Sequence, residues 1–599
     1  MKRHLIVLLL AVLFVSFSCG SGPRTEGTMA FTVSMPRPAS HTFHVSFRCE
    51  GLTGEIQDFK MPAWMPGFYR IMDYAQNVGG FTARDGSGGS LPWEKVTKNT
   101  WRVVTANAPV VVIDYDVLAD AFFVARNYLD ESWAFIAPPG LFVHVAGRLR
   151  HPVTVTVEPP PHWSRVATGL EPVAGRPNTF SAPDFDVLYD CPVLMGNQEV
   201  LEFDVRTVPH EVVLENVAAD VDRAKMTNDL KRMVEAATGL MSDIPYARYT
   251  FLMIGRGNGG IEHANSAAIS FNGARLGPGR GYEGWLSYVS HEYFHHFNVK
   301  RIRPLALGPF DYDQENLTDM LWVSEGLTVY YEDIVMVRAG LMTAERYLEK
   351  MAAAVTGFER TPGRRYQSAT ESSLSTWGGS GMGGDRNTTI SYYNNGAMLG
   401  AMLDLKIRHE SGNAKSLDDV MRALYRKYEL GRSRGFADAE FRAECETAAG
   451  VPLDEVFGYA STSKDVDYAK YFAYAGLDVR TTARDADGGY LGLNTRTVDR
   501  GLEVSGVSTG SPAERAGLAV GDLVLKVGGE KATAKVLHDF LAAGKAGDTI
   551  KLVLAREDAE REMAIVVAKN VTYDYSIAPI EEPSPLQAGI FKEWLRTDR

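Results

Sequence analysis

Two changes of hydrophobic period divide the chain and limit what it can fold into. From about Phe31 to Val213, apolar residues alternate or cluster in short runs such as "HTFHVSFRCE", "TWRVVTANAPVVVIDYDVLA" and "PVTVTVEPP". Such runs, broken by Pro and Gly, predict short half-buried strands. From Asp220 to about Tyr474 the spacing turns helical, as in "DVDRAKMTNDLKRMVEAATGL". The interruptions are a strand-like "YTFLMIG" (Tyr249–Gly255) and a Gly-rich "STWGGSGMGGDRN" (Ser375–Asn387), read as a surface or active-site loop. From about Leu477 short strands return ("LEVSGVS", "DLVLKVGG", "TIKLVLARE") around one helix, "AKVLHDFLAAG". A chain of 599 residues is too long for a single core. The reading is a multidomain α+β protein. It has an N-terminal all-β domain over 26–213, a mostly helical domain over 214–475, a small β module over 476–572 and a tail over 573–599.

The first residues, "MKRHLIVLLLAVLFVSFSCG", join a basic start (Lys2, Arg3) to an apolar run from Leu5 to Phe17 and then small residues. That is the build of a secretory signal over 1–19, too short for a comfortable membrane span. Cys19 stands where a bacterial lipoprotein is cleaved and lipidated, although Ser16 and Phe17 depart from the usual residues there. The expectation is an exported protein, free in the periplasm or held at the outer membrane through lipid on Cys19. A net charge of −12 with no Lys/Arg block argues against nucleic acid as a partner. Cys49, Cys191 and Cys445 are far apart and odd in number, so they form neither a disulfide framework nor a cysteine metal site.

Within the helical region, "LSYVSHEYFHHFNVKRIRP" carries His291-Glu292-Tyr293-Phe294-His295, which fits H-E-x-x-H. On a helix the two histidines lie one turn apart on one face and can bind one Zn²⁺, with Glu292 placed to take a proton from zinc-bound water. Two aligned histidines can also be hydrogen-bonded core residues. His296 points elsewhere and reads as packing. The third ligand must come from farther along: 19 residues separate His295 from Glu315, and 29 separate it from Glu325. Spacing favours Glu315; local sequence favours Glu325, because "DMLWVSEGLTVYYEDI" is helical whereas "GPFDYDQEN" is turn-rich, and a ligand needs a rigid support. Glu325 is preferred. No carboxylate follows it by four residues (Val329 stands there), so the sequence names no partner for the second nitrogen of a ligating histidine.

Two further segments bear on the site. "GGIEHANS" puts Gly259, Gly260, Glu262 and His263 at a probable sheet edge, where a peptide backbone can add as a strand and Glu262 can meet an α-ammonium. An exposed acidic turn is the plain alternative. The preceding "GRGNGG" leads into no helix, which excludes nucleotide binding. In "ISYYNNGAMLGAMLDLKIRHE" two tyrosines open a helix, and a phenol near a metal can donate to an oxyanion, although tyrosine pairs are more often packing.

Together these segments resemble the glycyl-aminopeptidase family of zinc metallopeptidases, in the gluzincin group. "MPAWMPGFYRIMDYAQNV", "DIPYARYTFLM…GGIEHANS", "VSHEYFHHFNVKRIRP" and "LWVSEGLTVYYEDI" are similar to that family's motifs, in its order. The resemblance implies a β domain, a thermolysin-like catalytic domain and a PDZ domain. It implies one Zn²⁺ per chain on His291, His295 and Glu325, and Glu292 as general base. Glu262 would hold the substrate's amino terminus, and Tyr393 (with Tyr392 as alternate) would donate to the oxyanion, though Asn395 replaces a frequent Lys. Small first residues, Gly or Ala, follow from the family alone. "GYLGLNT" (Tyr490, Leu491, Gly492, Leu493) looks like a PDZ carboxylate-binding loop, and "GSPAERAGLAVGDLVLKVGGE" like the central PDZ signature. The expected partners are peptides with a free amino terminus and a C-terminal peptide at the PDZ domain. The rival readings are a zinc endopeptidase and a catalytically degenerate periplasmic binding or adaptor protein.

Overall fold

The computed structural model describes residues 27–276, 279–379, 384–557 and 559–596. The signal segment 1–19, Cys19 and part of the Gly-rich stretch lie outside the described residues. Among the described residues no helix is long and apolar enough to cross a membrane.

The N-terminal domain is all β, with sheets of seven, five and four strands. Alternation in the sequence becomes a shared core because register aligns the apolar positions. Phe31 of strand Met29–Ser34 pairs with Phe47 of strand Thr42–Glu50, and Phe47 with Ile113 of strand Val110–Leu118. The Phe31 and Phe47 rings stack at 4.0 Å, and all three residues are buried. The aromatic segment after Lys60 is not a strand. It stays in this domain's core through Met61, Met65, Tyr74 and Ala75, while its middle reaches the next domain: Trp64 Nε1 donates to the Asp311 carbonyl at 2.8 Å, and the Trp64 ring meets Trp377 at 5.0 Å.

The middle domain opens on a five-stranded sheet. Strands Glu199–Val205 and Val208–Glu215 form a hairpin, and the second runs parallel to Tyr249–Ile254. A boundary at 213/214 therefore cuts through one sheet; the physical unit starts near Glu199, because backbone hydrogen bonding, not strand content, decides where a domain begins. The outer strand on the far side is Gly259–Glu262, antiparallel to Ser266–Ser270. Helices Arg280–Phe294, Leu327–Arg338 and Tyr392–Glu410 pack together beneath it.

The C-terminal module has its own core (Leu502, Val524, Ile550, Leu552, Ile565). It is joined to the middle domain by an antiparallel ribbon of Leu477–Tyr490 with Ala568–Pro579. Of the segment read as a tail over 573–599, the described part, 573–596, is docked on the middle domain. Tyr575 N–H donates to Thr356 Oγ1 at 3.0 Å, and helix Pro585–Leu595 buries Trp594 in the middle domain, where its Nε1 donates to the Tyr330 hydroxyl at 2.8 Å. Ile590 and Trp594, one helical turn apart and both buried, carry that docking.

Candidate active site

Helix Arg280–Phe294 and the turn after it bring His291 and His295 to one face, Nε2 to Nε2 at 3.0 Å. Glu325 reaches them from a π-helical turn, Trp322–Gly326, that opens helix Leu327–Arg338. Its Oε2 lies 3.1 Å from His295 Nε2 and 3.6 Å from His291 Nε2. These three atoms form a cluster within 4.8 Å. Tetrahedral zinc with bonds of about 2.05 Å needs ligand atoms about 3.3 Å apart, so the buried donor set fits such an ion. Glu315 is exposed in its loop and stands outside this cluster.

The outer nitrogens are fixed as a metal-binding histidine requires. His291 Nδ1 is 2.9 Å from Glu332 Oε2, and His295 Nδ1 donates to the Asn298 carbonyl at 2.6 Å. Glu332 lies two turns after Glu325 on the same helix, so searching four residues on missed it. Asn298, also missed, ties the two ligand elements together. Its Nδ2 donates to the carbonyls of Val323 (2.9 Å) and Ser324 (3.0 Å) across the π-helical turn. His296 is buried among Tyr293, Phe297 and Tyr246, and burial holds its pKa well below the usual histidine range.

Glycines explain how close the parts come. Gly326, next after Glu325, packs on Gly396 of "YYNNG": a Cβ on Gly396 would stand 2.7 Å from the Gly326 Cα. That backbone contact brings the two tyrosines to the metal cluster. Tyr392 is buried, with its hydroxyl already engaged by Thr376 Oγ1 at 3.0 Å. Tyr393 is half-buried, with its ring 6.3 Å from that of His291. Burial and then the Glu325 charge hold the Tyr393 phenol protonated, well above its ordinary pKa.

Glu292 is buried beside the cluster. Burial, opposed by His291 and His295 and aided by Glu262 and Glu325, pushes its carboxyl up to about 7. Tyr288 stands one turn earlier on the helix, and burial and then the Glu292 charge hold its phenol well above the usual range. The outer strand closes on the same carboxylate: a Cβ on Gly260 would stand 2.5 Å from the Tyr288 hydroxyl and nearer still to Glu292. Glu262, at the end of that strand, is 4% exposed, and among the described residues its Oε1 has no hydrogen-bond partner. Next to it, His263 Nδ1 lies 3.2 Å from Asp190, which Lys300 holds at 2.6 Å.

The N-terminal domain supplies a residue that the sequence did not suggest. Gly67 (φ +92°) lies so near Glu262 that a Cβ would meet Oε2 at 2.8 Å, and Tyr69 follows it into the site. Burial, the charges of Glu325 and Glu262, and a hydrogen bond to Glu325 hold the Tyr69 phenol well above its usual range. The motif "WMPGFY" is the signal that points there: a Pro-Gly turn between aromatics is costly unless it must approach something closely.

In the C-terminal module, strand Leu493–Val498 is the end strand of its sheet, with helix Ala534–Ala543 beside it. Leu491 is buried and its carbonyl accepts from Ala513 N–H at 2.9 Å; Gly492 is left-handed (φ +73°). Tyr490 ends the ribbon and Leu493 opens the end strand.

Comparison with known proteins agrees with this division. Residues 30–197 match the Peptidase M61 N-terminal domain, residues 284–399 the M61 glycyl aminopeptidase domain, and residues 503–556 a PDZ domain. The chain belongs to the M61 glycyl aminopeptidase family. Its fold is that of the crystal structure of an aminopeptidase N family protein from Idiomarina loihiensis, 27% identical, covering 95% of this chain and 100% of that one with a TM-score of 0.83. A crystal structure of an M1 zinc metallopeptidase from Deinococcus radiodurans matches 73% of this chain and 94% of its own with a TM-score of 0.47 and 12% identity. A probable CtpA-like serine protease of Staphylococcus haemolyticus is 30% identical over 104 residues, 16% of this chain; the chain spans about a fifth (21%) of that curated relative. M61 membership and the His-His-Glu cluster make this protein a metallopeptidase.

Proposed function

We propose that this M61 protein is an exported, zinc-dependent aminopeptidase that removes small first residues, glycine or alanine, from peptides. His291, His295 and Glu325 would hold the ion, which supplies Lewis acidity and a water of lowered pKa. Glu292 takes the proton from the attacking water and passes it to the leaving amine, a role served by a buried carboxyl poised near neutrality. Tyr393, protonated and half-buried beside His291, donates to the oxyanion. Glu292 leans on Gly260, so a peptide laid along the outer strand has its reacting bond at that level.

The observation that carries the aminopeptidase reading is Glu262: a buried carboxylate with an unpartnered oxygen, two residues along the strand from Gly260. An α-ammonium satisfies it and counts one residue from the cleaved bond. A small first residue is supported by how closely Gly67 and Tyr69 press on Glu262. The PDZ module is read as taking a C-terminal peptide along Leu493–Val498, with its carboxylate at Tyr490–Leu493. Export rests on the signal-like first 19 residues.

Purified protein is expected to carry one zinc per chain and to lose hydrolysis of alanyl peptides by at least about 10³-fold on Glu292→Gln, with zinc retained. Zinc-free protein, or unchanged turnover in Glu292→Gln, refutes the reading. Mass analysis of the exported chain is expected to show a new amino terminus near Cys19; an intact Met1 refutes export by cleavage.

A further inference from the structure

Glu262 and Gly260 together give a bound peptide a direction. With its ammonium at Glu262 and its first peptide bond at the Glu292–Gly260 contact, the substrate runs antiparallel to the outer strand. The leaving portion of the peptide, beyond the cleaved bond, then passes Gly259 and Gly257. Gly259 faces a wall of the N-terminal domain, where a Cβ would meet Phe123 at 3.2 Å and Val124 at 3.4 Å; a Cβ on Gly257 would meet Ser270 Oγ at 3.0 Å and, on that same wall, Phe122 at 3.8 Å. Phe123 in turn meets Phe68 at 5.1 Å, edge to face.

These three phenylalanines line a cavity of about 500 Å³ whose other walls include Met72, Arg70 and Arg126. Arg70 and Arg126 are exposed, and no ion pair or hydrogen bond of either side chain occurs among the described residues. The acidic residue in the lining, Asp73, is taken up by Lys98 at 2.6 Å. The cavity thus joins aromatic walls to two uncommitted guanidinium groups, a setting that favours a carboxylate on an apolar residue. Its position fits a chain end. An extended tripeptide spans roughly 10 Å at about 3.4 Å per residue, the length of the strand from Glu262 back to Gly259.

We propose that this cavity binds the C-terminal carboxylate of short peptides through Arg70 and Arg126, so that tripeptides with a free carboxylate are the preferred substrates. The direction of the bound peptide rests on the aminopeptidase reading; the carboxylate preference is measured separately from it. The test uses zinc-loaded, full-length Glu292→Gln protein, titrated calorimetrically with alanyl-alanyl-phenylalanine as free acid, as C-terminal amide and as N-acetylated acid. The acid is expected to bind about tenfold more tightly than the amide, the gain of a partly exposed charge-assisted pair. Adding Arg70→Gln and Arg126→Gln is expected to bring that ratio to about one. Equal affinity for acid and amide overturns the proposal, and so does a preference that survives loss of both arginines, since the carboxylate is then held at the metal. If N-acetylation costs no affinity while the arginine-dependent preference holds, the cavity assignment stands and the Glu262 reading falls.

Discussion

Gly260→Ala tests the geometry of the site with one methyl group. Gly260 has no left-handed φ, so alanine meets no backbone strain there. What it meets is the carboxylate of Glu292 and the Tyr288 hydroxyl, at 2.5 Å or less where ordinary contact needs 3.4 Å or more. Either the outer strand lifts or the carboxylate moves, in both cases by about 1 Å. A displacement of that size between a general base and its target costs roughly 10²-fold in rate. The expected result is a kcat reduced about 100-fold, with zinc content unchanged and Tm within a few degrees of the parent. Gly284→Ala is the control: it lies on helix Arg280–Phe294, no atom of the described residues stands within 4 Å of its new Cβ, and a helical Gly→Ala change stabilises by about 0.5–1 kcal/mol. It is expected to keep parental kcat and a slightly raised Tm. Parental kcat in Gly260→Ala would refute the argument that Glu292 works against this strand.

Three other perturbations probe the supports of the site. Glu332→Ala removes the carboxylate that orients His291 and is expected to weaken zinc binding 10–100-fold in a chelator competition; unchanged affinity would refute that role. Asp190 is held at about 2, because Lys300 and His263 outweigh the burial that would raise it. Its folded pKa lies below the unfolded value of about 3.9, so its stabilisation, of order 2 kcal/mol, is full above pH ~4 and is lost as pH falls through about 2. Asp190→Asn is therefore expected to lower the urea midpoint at pH 7, with the two stability curves converging towards pH 2; parallel curves would contradict the assignment. Trp594→Ala empties a buried site in the middle domain and is expected to cost about 3–5 kcal/mol, seen as an earlier urea transition of that domain with the PDZ transition unmoved.

The parts of the site that obey a local period were legible in the sequence. His291 and His295 declare themselves, with Glu292 beside them, because a helix puts i and i+4 on one face; Tyr288, four residues before Glu292, obeys the same rule but carried no signal of its own. Glu325 was ambiguous because linear spacing ranks Glu315 nearer, while the deciding fact is a backbone crossing of Gly326 on Gly396 that only the packed helices reveal. Asn298 acts across elements through a π-helical turn that no propensity announces, and Glu332 reaches His291 from the neighbouring helix. Tyr69 comes from another domain, and long-range contacts leave little local trace. The same holds at the domain edges: Val208–Glu215 reads as one more β strand, yet its hydrogen bonds go to Tyr249–Ile254. The last helix looks like a tail until Ile590 and Trp594 are seen to share a buried face.

Glu262 is proposed to count a free amino terminus at a zinc site served by Glu292. The most direct measurement is the ratio of kcat/KM for a tripeptide and its N-acetylated form, in the parent protein and in Glu262→Ala. The parental ratio is expected to be at least about 100, from a charge-assisted contact in a buried site, and to fall to near one in the variant as the free-amine rate drops. Equal parental rates on both peptides, or a ratio that Glu262→Ala leaves unchanged, would contradict it.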